Sequence, residues 1–157
     1  MAGDTYLMVV GNLTADPVLR TTSNGSTVAN LTIASTPRQY DRNTSQWVDG
    51  EALFMRCSAW DSTYSPMASN IQASLVKGMR VIAHGRLVQR SYQDRDGNNR
   101  SVMELHLDEI GPALSRNTAQ VTKNPTSNSN NGGRQALGST LPPQDPWGGD
   151  GNDEPEF

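Results

Sequence analysis

The stretch Leu53-Phe54-Met55-Arg56-Cys57-Ser58-Ala59-Trp60 alternates residue by residue between two kinds of side chain. Leu53, Met55, Cys57 and Ala59 fall on one side, and Phe54, Arg56, Ser58 and Trp60 on the other. A period of two is the signature of a strand with one apolar face, because successive side chains point to opposite sides of a sheet. A second alternating run, Arg80 to Tyr92, repeats it. Val81, Ala83, Gly85 and Leu87 form its apolar side, opposite Arg80, Ile82, His84, Arg86, Val88, Arg90 and Tyr92. Between the two runs the period changes. Ser65 stands as an N-cap with Pro66 at the first helical position, Met67, Ile71 and Leu75 recur every four residues, and Gly78 closes the end. That predicts a helix over about residues 66 to 76.

Working outward, the N-terminal side supplies two more strands. The first runs from about Tyr6 to Leu13, and a turn at Asp16-Pro17 leads through Val18-Leu19-Arg20 to the turn Ser23-Asn24-Gly25. The second strand follows from Thr27 to Ser35. Arg38 to Gly50 is rich in charge and turn formers and reads as a polar loop. On the C-terminal side, Asp94-Arg95-Asp96-Gly97-Asn98 folds the chain back into a fifth strand, Ser101 to Ile110, which makes a long hairpin. The order β-β-β-α-β-β predicts an all-β protein of the OB-fold, a five-stranded Greek-key barrel with one helix between strands three and four. A sandwich is the structural alternative, but its seven or more strands do not fit in about 110 residues that also hold a helix.

Composition changes after Leu114. From Ser115 to Phe157, 28 of 43 residues are Asn, Gly, Ser, Pro, Thr or Gln. Such a segment buries too little surface to offset its ordering entropy, so residues 125 to 157 are expected to be disordered. Ala119 and Val121 alternate with Thr118, Gln120 and Thr122, and an extra strand within 115–124 is an expectation. The resulting division is a folded domain over 1–114, that short segment, a polar linker over 125–143, and an acidic tip over 144–157.

The net charge of −3 conceals an asymmetry. Residues 1–114 carry 10 basic and 11 acidic groups, residues 115–143 carry three basic and no acidic groups, and residues 144–157 carry five acidic groups and no basic one. The tip alone therefore exceeds the whole deficit, and the domain is close to neutral. Eleven of the 13 basic residues are Arg, the side chain suited to forked phosphate contacts and to stacking on flat rings. The longest apolar runs, such as Leu7-Met8-Val9-Val10, fall far short of the ~18 to 20 residues that cross a bilayer. With no signal-like N-terminus and a single cysteine, the expected setting is the cytoplasm.

The faces opposite the apolar ones combine aromatic rings with guanidinium groups. Phe54, Arg56 and Trp60 do so in one strand, and Arg86, Arg90 and Tyr92 in another. Arg38, Tyr40 and Arg42 repeat the spacing in the polar loop, followed by Trp47. An unpaired nucleic-acid strand calls for this combination: guanidinium groups neutralise the backbone while rings stack on exposed bases. Reading a duplex would want a helix bearing Arg, Asn or Gln, and the one expected helix has no basic residue in its body. The bland alternative is that single aromatics fill a second layer or a subunit contact.

Other chemistry finds little support. His84 and His106 fall on different strands and make no metal set. Asp94-Arg95-Asp96-Gly97 lacks the spacing of a calcium loop. Asp108 and Glu109 are adjacent on a strand, so alternation sends them to opposite faces. Cys57, on the apolar face, reads as a buried thiol. No cofactor and no metal are expected, and the reading is of a non-enzymatic protein. The tip ends Asp153-Glu154-Pro155-Glu156-Phe157, where a terminal ring after acids reads as a short partner-binding motif. An adaptor that works mainly through this tip and an RNA-binding module are the rival readings, because the 2′-OH contacts that separate RNA from DNA leave no pattern here.

Together these residues resemble the bacterial single-stranded DNA-binding proteins, most closely their actinobacterial branch. The carriers are Val10-Gly11-Asn12-Leu13-Thr14-Ala15-Asp16-Pro17-Val18-Leu19-Arg20, Gly25 with Val28-Ala29-Asn30, Ala34-Ser35-Thr36-Pro37-Arg38, Asp49-Gly50-Glu51-Ala52-Leu53-Phe54, Gly85-Arg86-Leu87 and Asp108-Glu109-Ile110-Gly111-Pro112. The resemblance spans about residues 2 to 123 and returns at the C-terminus. It implies an OB-fold homotetramer wrapped by single-stranded DNA, at work in replication, recombination and repair at the nucleoid, whose acidic tip recruits other enzymes. Phe54, Trp60 and Tyr92 stand where the family's stacking aromatics stand, and Tyr40 lies at or next to a fourth. Arg116 to Lys123 matches in position a strand that clasps subunits in actinobacterial members. The family's tip has Pro-Phe directly at its end, whereas here Glu156 intervenes.

Overall fold

The computed structural model describes residues 3–125. The linker and the acidic tip, with Asp153, Glu154, Pro155, Glu156 and Phe157, lie outside the described residues. Residues up to Val121 form one compact unit, and Thr122 onward belongs to a second, of which the described residues 122–125 hold neither strand nor helix.

The elements in order are β1 (Thr5–Leu13), β2 (Val18–Thr21), β3 (Thr27–Ser35), β4 (Arg38–Asp41), β5 (Gln46–Asp49), β6 (Leu53–Trp60), α1 (Met67–Ser74), β7 (Arg80–Gln93) and β8 (Asn99–Pro112). Six of the strands form one sheet in the order β1-β7-β8-β6-β3-β2, and β1 also reaches β3 through the pairs Asn12↔Ala34 and Leu13↔Ile33. The sheet therefore curls almost onto itself as a small, partly open barrel. Its five principal strands are those the alternation predicts, joined in the OB manner with β6 and β8 parallel.

Three strands are additions. Val18–Thr21 is a strand of its own, antiparallel to β3 with Arg20 opposite Val28. The stretch expected as a polar loop is a separate two-stranded hairpin, β4 with β5, in which Tyr40 faces Trp47. The extra strand expected within 115–124 is absent from this single chain. Instead the Asn117 amide donates to the carbonyl oxygens of Arg80 and Ala113, both at 2.9 Å, and holds the chain in a turn just past β8.

The interior follows from the apolar faces. Val9, Leu13, Ala29, Leu31, Ile33, Met55, Cys57, Ala59, Val81, Ala83, Leu105 and Leu107 are buried together, and Ala68 and Ile71 of α1 with Leu75 just past its end join them. Burial pushes the Cys57 thiol up to about 12, with the Glu104 charge adding to the effect, so it stays protonated as the buried-thiol reading requires. Two residues of β6 depart from strict alternation. Leu53 is exposed, because it sits at the strand's end and pairs only with Ser35. Ser58 is buried although it belongs to the polar side, flanked in register by the larger Asn30 and His106. Its hydroxyl has no hydrogen-bond partner among the described residues.

The start of α1 also differs from expectation. Pro66 occupies the cap position and makes no side-chain cap bond, and the Asp61 carboxylate substitutes by accepting the Ser69 N–H at 3.1 Å and the Ser69 hydroxyl at 2.5 Å. A carboxylate brought against the first turn from outside the helix satisfies an otherwise unpaired N–H and complements the helix dipole.

Curling the sheet brings backbones into contact. β7 and β8 run in register from Gln93↔Asn99 to Gly85↔Leu107 and resume at His84↔Glu109, so Asp108 is an extra residue in β8. The bulge shifts the inward positions from Leu105 and Leu107 to Ile110. It also breaks the alternation that would separate Asp108 from Glu109, and both are exposed. At this point Gly85 lies against β8 so closely that a Cβ would collide with the His106 carbonyl. Gly11 is held equally close to the Ala34 carbonyl where β1 meets β3. We predict that Gly85→Ala lowers stability by about 1 to 3 kcal/mol through overpacking. Gly111→Ala, where a Cβ meets nothing within 4 Å, should change it by less than about 0.5 kcal/mol. Urea unfolding midpoints of the two variants read the difference.

Candidate nucleic-acid interface

The barrel's outer surface carries the polar sides of the strands, and the register says which residues meet there. Across β3, β6, β8 and β7 one level reads Thr32, Arg56, Glu104 and Val88. The next reads Asn30, Ser58, His106 and Arg86. Arg90 stands opposite Val102 one step further along the hairpin. With β2 at the margin, these strands frame a groove of about 470 Å³ into which Arg20, Arg56 and Arg90 converge from three different strands. Asn30, Thr32 and Glu104 lie between them. The chain-wide deficit of charge is thus reversed locally by three guanidinium groups.

The rings flank this groove rather than fill it. Phe54 and Trp60 lie six residues apart on β6, roughly 20 Å along the strand, with Arg56 between them. They are 64% and 45% exposed, which leaves their faces open to a flat ligand. Tyr92 is half exposed near the far end of the β7–β8 hairpin, opposite Arg100. That end is built by Asp94, whose carboxylate accepts the Arg100 Nε–H at 3.0 Å and the N–H groups of Asp96 and Asn98. The Arg100 bond is the largest cause that holds the Asp94 carboxyl below its ordinary range.

Other residues of the predicted set stand apart from the groove. Arg38, Tyr40 and Arg42 belong to the β4–β5 hairpin and its turn. There Tyr40 and Trp47 meet edge to face with centroids 5.6 Å apart, and Arg38 Nε pairs with Asp49 at 3.2 Å. Arg86 turns toward β1, where it stands opposite Tyr6 and meets Asp4 at 3.5 Å. Arg56 and Arg90 are therefore brought together, whereas Arg38, Arg42 and Arg86 are engaged elsewhere or lie on a separate arm.

Arg20 is the residue that sequence reasoning missed. It sits on a strand of only four residues, too short for alternation to declare itself. The usable signal was the turn Ser23-Asn24-Gly25 directly before a strong strand, which implies a paired strand on its other side.

A further feature lies on the β1–β7 side. Tyr6, Met8, Val10 and Ile82 are exposed there, and Tyr6 stacks on His84 with centroids 5.6 Å apart and an interplanar angle of 6°. Contiguous exposed apolar side chains of this kind mark a contact surface.

Comparison with known proteins agrees with this geometry. Residues 5–113 match the Single-strand binding protein family. The single-stranded DNA-binding protein of Mycobacterium bovis is 49% identical over 168 aligned positions covering all of both chains. That of Bifidobacterium longum is 61% identical over 123, which is 78% of this chain and 55% of the relative. Among solved structures, the small single-stranded DNA-binding protein from Streptomyces coelicolor superposes with a TM-score of 0.61 at 28% identity, covering 73% of this chain and 99% of that one. With its OB barrel, its arginine-lined groove and a match that runs through the whole of both, the chain belongs to the single-strand binding protein family.

Proposed function

We propose that this protein binds single-stranded DNA without strong sequence preference, by stacking bases on Phe54, Trp60, Tyr92 and Tyr40 while arginines neutralise the backbone. The observation that carries the reading is the convergence of Arg20, Arg56 and Arg90 in one groove flanked by the exposed rings of Phe54 and Trp60. Stacking is indifferent to base identity because every base has a π-face, and phosphate contacts carry no sequence information. The helix α1 has eight residues and no basic one, which gives a duplex groove nothing to be read with. Arg38, Arg42 and Arg86 take part at the periphery, the first two on the arm that also carries Tyr40. The protein holds DNA and makes or breaks no bond, with no cofactor.

The same reading extends to a role in protecting single strands during replication, recombination and repair at the nucleoid. The acidic tip, Asp153, Glu154, Pro155, Glu156 and Phe157, recruits partner enzymes through a ring for an apolar pocket and acids for its basic rim. The exposed face of Tyr6, Met8, Val10 and Ile82 supports self-association, and a homotetramer is the assembly proposed. Arg116 to Lys123 supplies the subunit clasp only in that assembly, since a clasp strand needs a neighbour to pair with.

Two measurements test these statements. In a fluorescence anisotropy titration with a labelled dT oligonucleotide, Phe54→Ala/Trp60→Ala should weaken binding by at least about tenfold. Each stacked base is worth about 1 to 3 kcal/mol, a figure that comes from single-strand binding proteins in general and not from this chain. A folded double variant with wild-type affinity would move the function to the tip. Light scattering behind size exclusion should return the mass of four 17.0 kDa chains, and Met8→Lys should lower it. A single-chain mass for the unmodified protein would contradict the proposed assembly.

A further inference from the structure

Arginine alone does not account for the outer face of β8, where Glu104 and His106 stand two residues apart and alternate with the buried Leu105 and Leu107. Glu104 lines the same groove as Arg20, Arg56 and Arg90. A carboxylate there repels each phosphate that approaches and cancels part of what the three guanidinium groups supply. His106 Nε2 lies 3.9 Å from Glu104 Oε1, too long for a hydrogen bond but within reach of an ion pair once the ring is protonated. The His106 side chain is 38% exposed, and no hydrogen bond among the described residues holds its ring.

Register fixes where the ring stands. His106 is beside Ser58 of β6, and Ser58 lies midway between Arg56 and Trp60, roughly 7 Å from each along the strand. A single strand that leaves the arginines of the groove and reaches the Trp60 ring crosses this level. What it meets there is short of charge. Asn30 on β3 and Ser58 are uncharged, and Arg86 of β7, in register on the far side of His106, meets Asp4 at 3.5 Å. The other charged and titratable groups around the ring are Glu104 and Asp108 on its own strand, Arg56 on β6, and His84 on β7, which is stacked on Tyr6. His106 is therefore the group at this level that can gain a positive charge near neutral pH, since imidazole is the side chain that ordinarily titrates between about pH 5 and 8. The gain has two effects of one sign. It gives phosphate a cationic donor, and it offsets the Glu104 charge.

We infer that His106 is a phosphate-contacting residue that works in its protonated form, cancelling the Glu104 charge and carrying the DNA backbone across the gap between Arg56 and Trp60. This rests on the groove being the path of the DNA. The sign of the pH dependence follows from linkage. A phosphate held by the imidazolium favours the protonated ring, so the complex binds a proton more readily than the free protein, and affinity rises as pH falls through the histidine range.

The test measures binding of the full chain to a dT oligonucleotide of about 12 nucleotides, within what one OB barrel covers, from pH 8 to pH 6 at several fixed salt concentrations. Thymine neither gains nor loses a proton over that range. Affinity of the unmodified chain should rise by about threefold or more, and the slope of log affinity against log salt should steepen by up to about 0.7, the share of one further neutralised phosphate. In His106→Gln the rise should be lost and the slope should be the same at both ends of the range. His106→Lys, whose charge is permanent, should bind about threefold tighter than the unmodified chain at pH 8 and respond little to pH. A flat profile for the unmodified chain, or a His106→Gln variant that keeps the rise, would overturn the inference. Should the glutamine variant fail to fold, the lysine variant decides: tighter binding at pH 8 supports the phosphate contact, and unchanged binding there overturns it. Arg56→Ala and Arg90→Ala separate this failure from that of the underlying reading. If they leave affinity unchanged, the groove is not the DNA path and the inference falls with it. If they weaken binding while His106→Gln keeps the rise, the His106 contact alone is wrong.

Discussion

Backbone meets backbone with no side chain between them at two places in the barrel, and the remaining geometry depends on that approach. Gly85 lies against the His106 carbonyl and Gly11 against that of Ala34, so β7 can bend over β8 and β1 can reach β3. A flat sheet of these strands would bury one face and spread the other. The curl gathers the apolar faces around Ile33, Leu105 and Val81 and tightens the outer surface over β6 and β8. The extra residue Asp108 re-phases β8 so that both Leu107 and Ile110 point inward despite their spacing. Function thus begins with a packing constraint: the arginines meet because the strands that carry them are forced around one core.

The surface so formed separates two kinds of group. Guanidinium groups are gathered where strands are adjacent, while the rings stand at strand ends and hairpins where their faces stay clear. This arrangement explains how a chain of net charge −3 can hold a polyanion. The deficit lies in the last 14 residues and the groove is cationic, so long-range attraction and repulsion arise from different parts of one sequence. Arg38–Asp49 and Arg86–Asp4 are exposed or half-exposed pairs, worth little to stability, and they keep those arginines oriented without locking them away.

Much of this was legible in the residues. Phe54, Arg56 and Trp60 stand on the exposed side of β6, and Met55, Cys57 and Ala59 on the buried side, as period two requires. The long hairpin and its turn were equally clear, since Asp94 and Gly97 announce the reversal. The failures share a physical origin, because each depends on contacts between segments rather than on the pattern within one. Ser58 is buried by what stands on β3 and β8, and Leu53 is exposed for lack of a neighbour, so both depart from the burial that their places in the alternation predict. The β2 strand and the β4–β5 hairpin have four-residue strands whose identity comes from pairing rather than pattern. The bulge at Asp108 cannot be seen from β8 alone, and the Asp61 cap on α1 acts from eight residues away. Arg20 was lost with β2, whose pairing with β3 is what places it on the groove.

The central claim is that a stacking, cationic groove holds an unpaired strand. It is tested most directly by following tryptophan emission during titration with poly-dT, an equal-length duplex and an RNA strand, over a series of salt concentrations. The account predicts tight binding to poly-dT with strong quenching of Trp60, weaker binding to duplex, and a log affinity that falls with log salt at about −0.7 per neutralised phosphate. Equal or better binding to duplex, or binding to poly-dT without quenching, would contradict it and make the exposed rings structural.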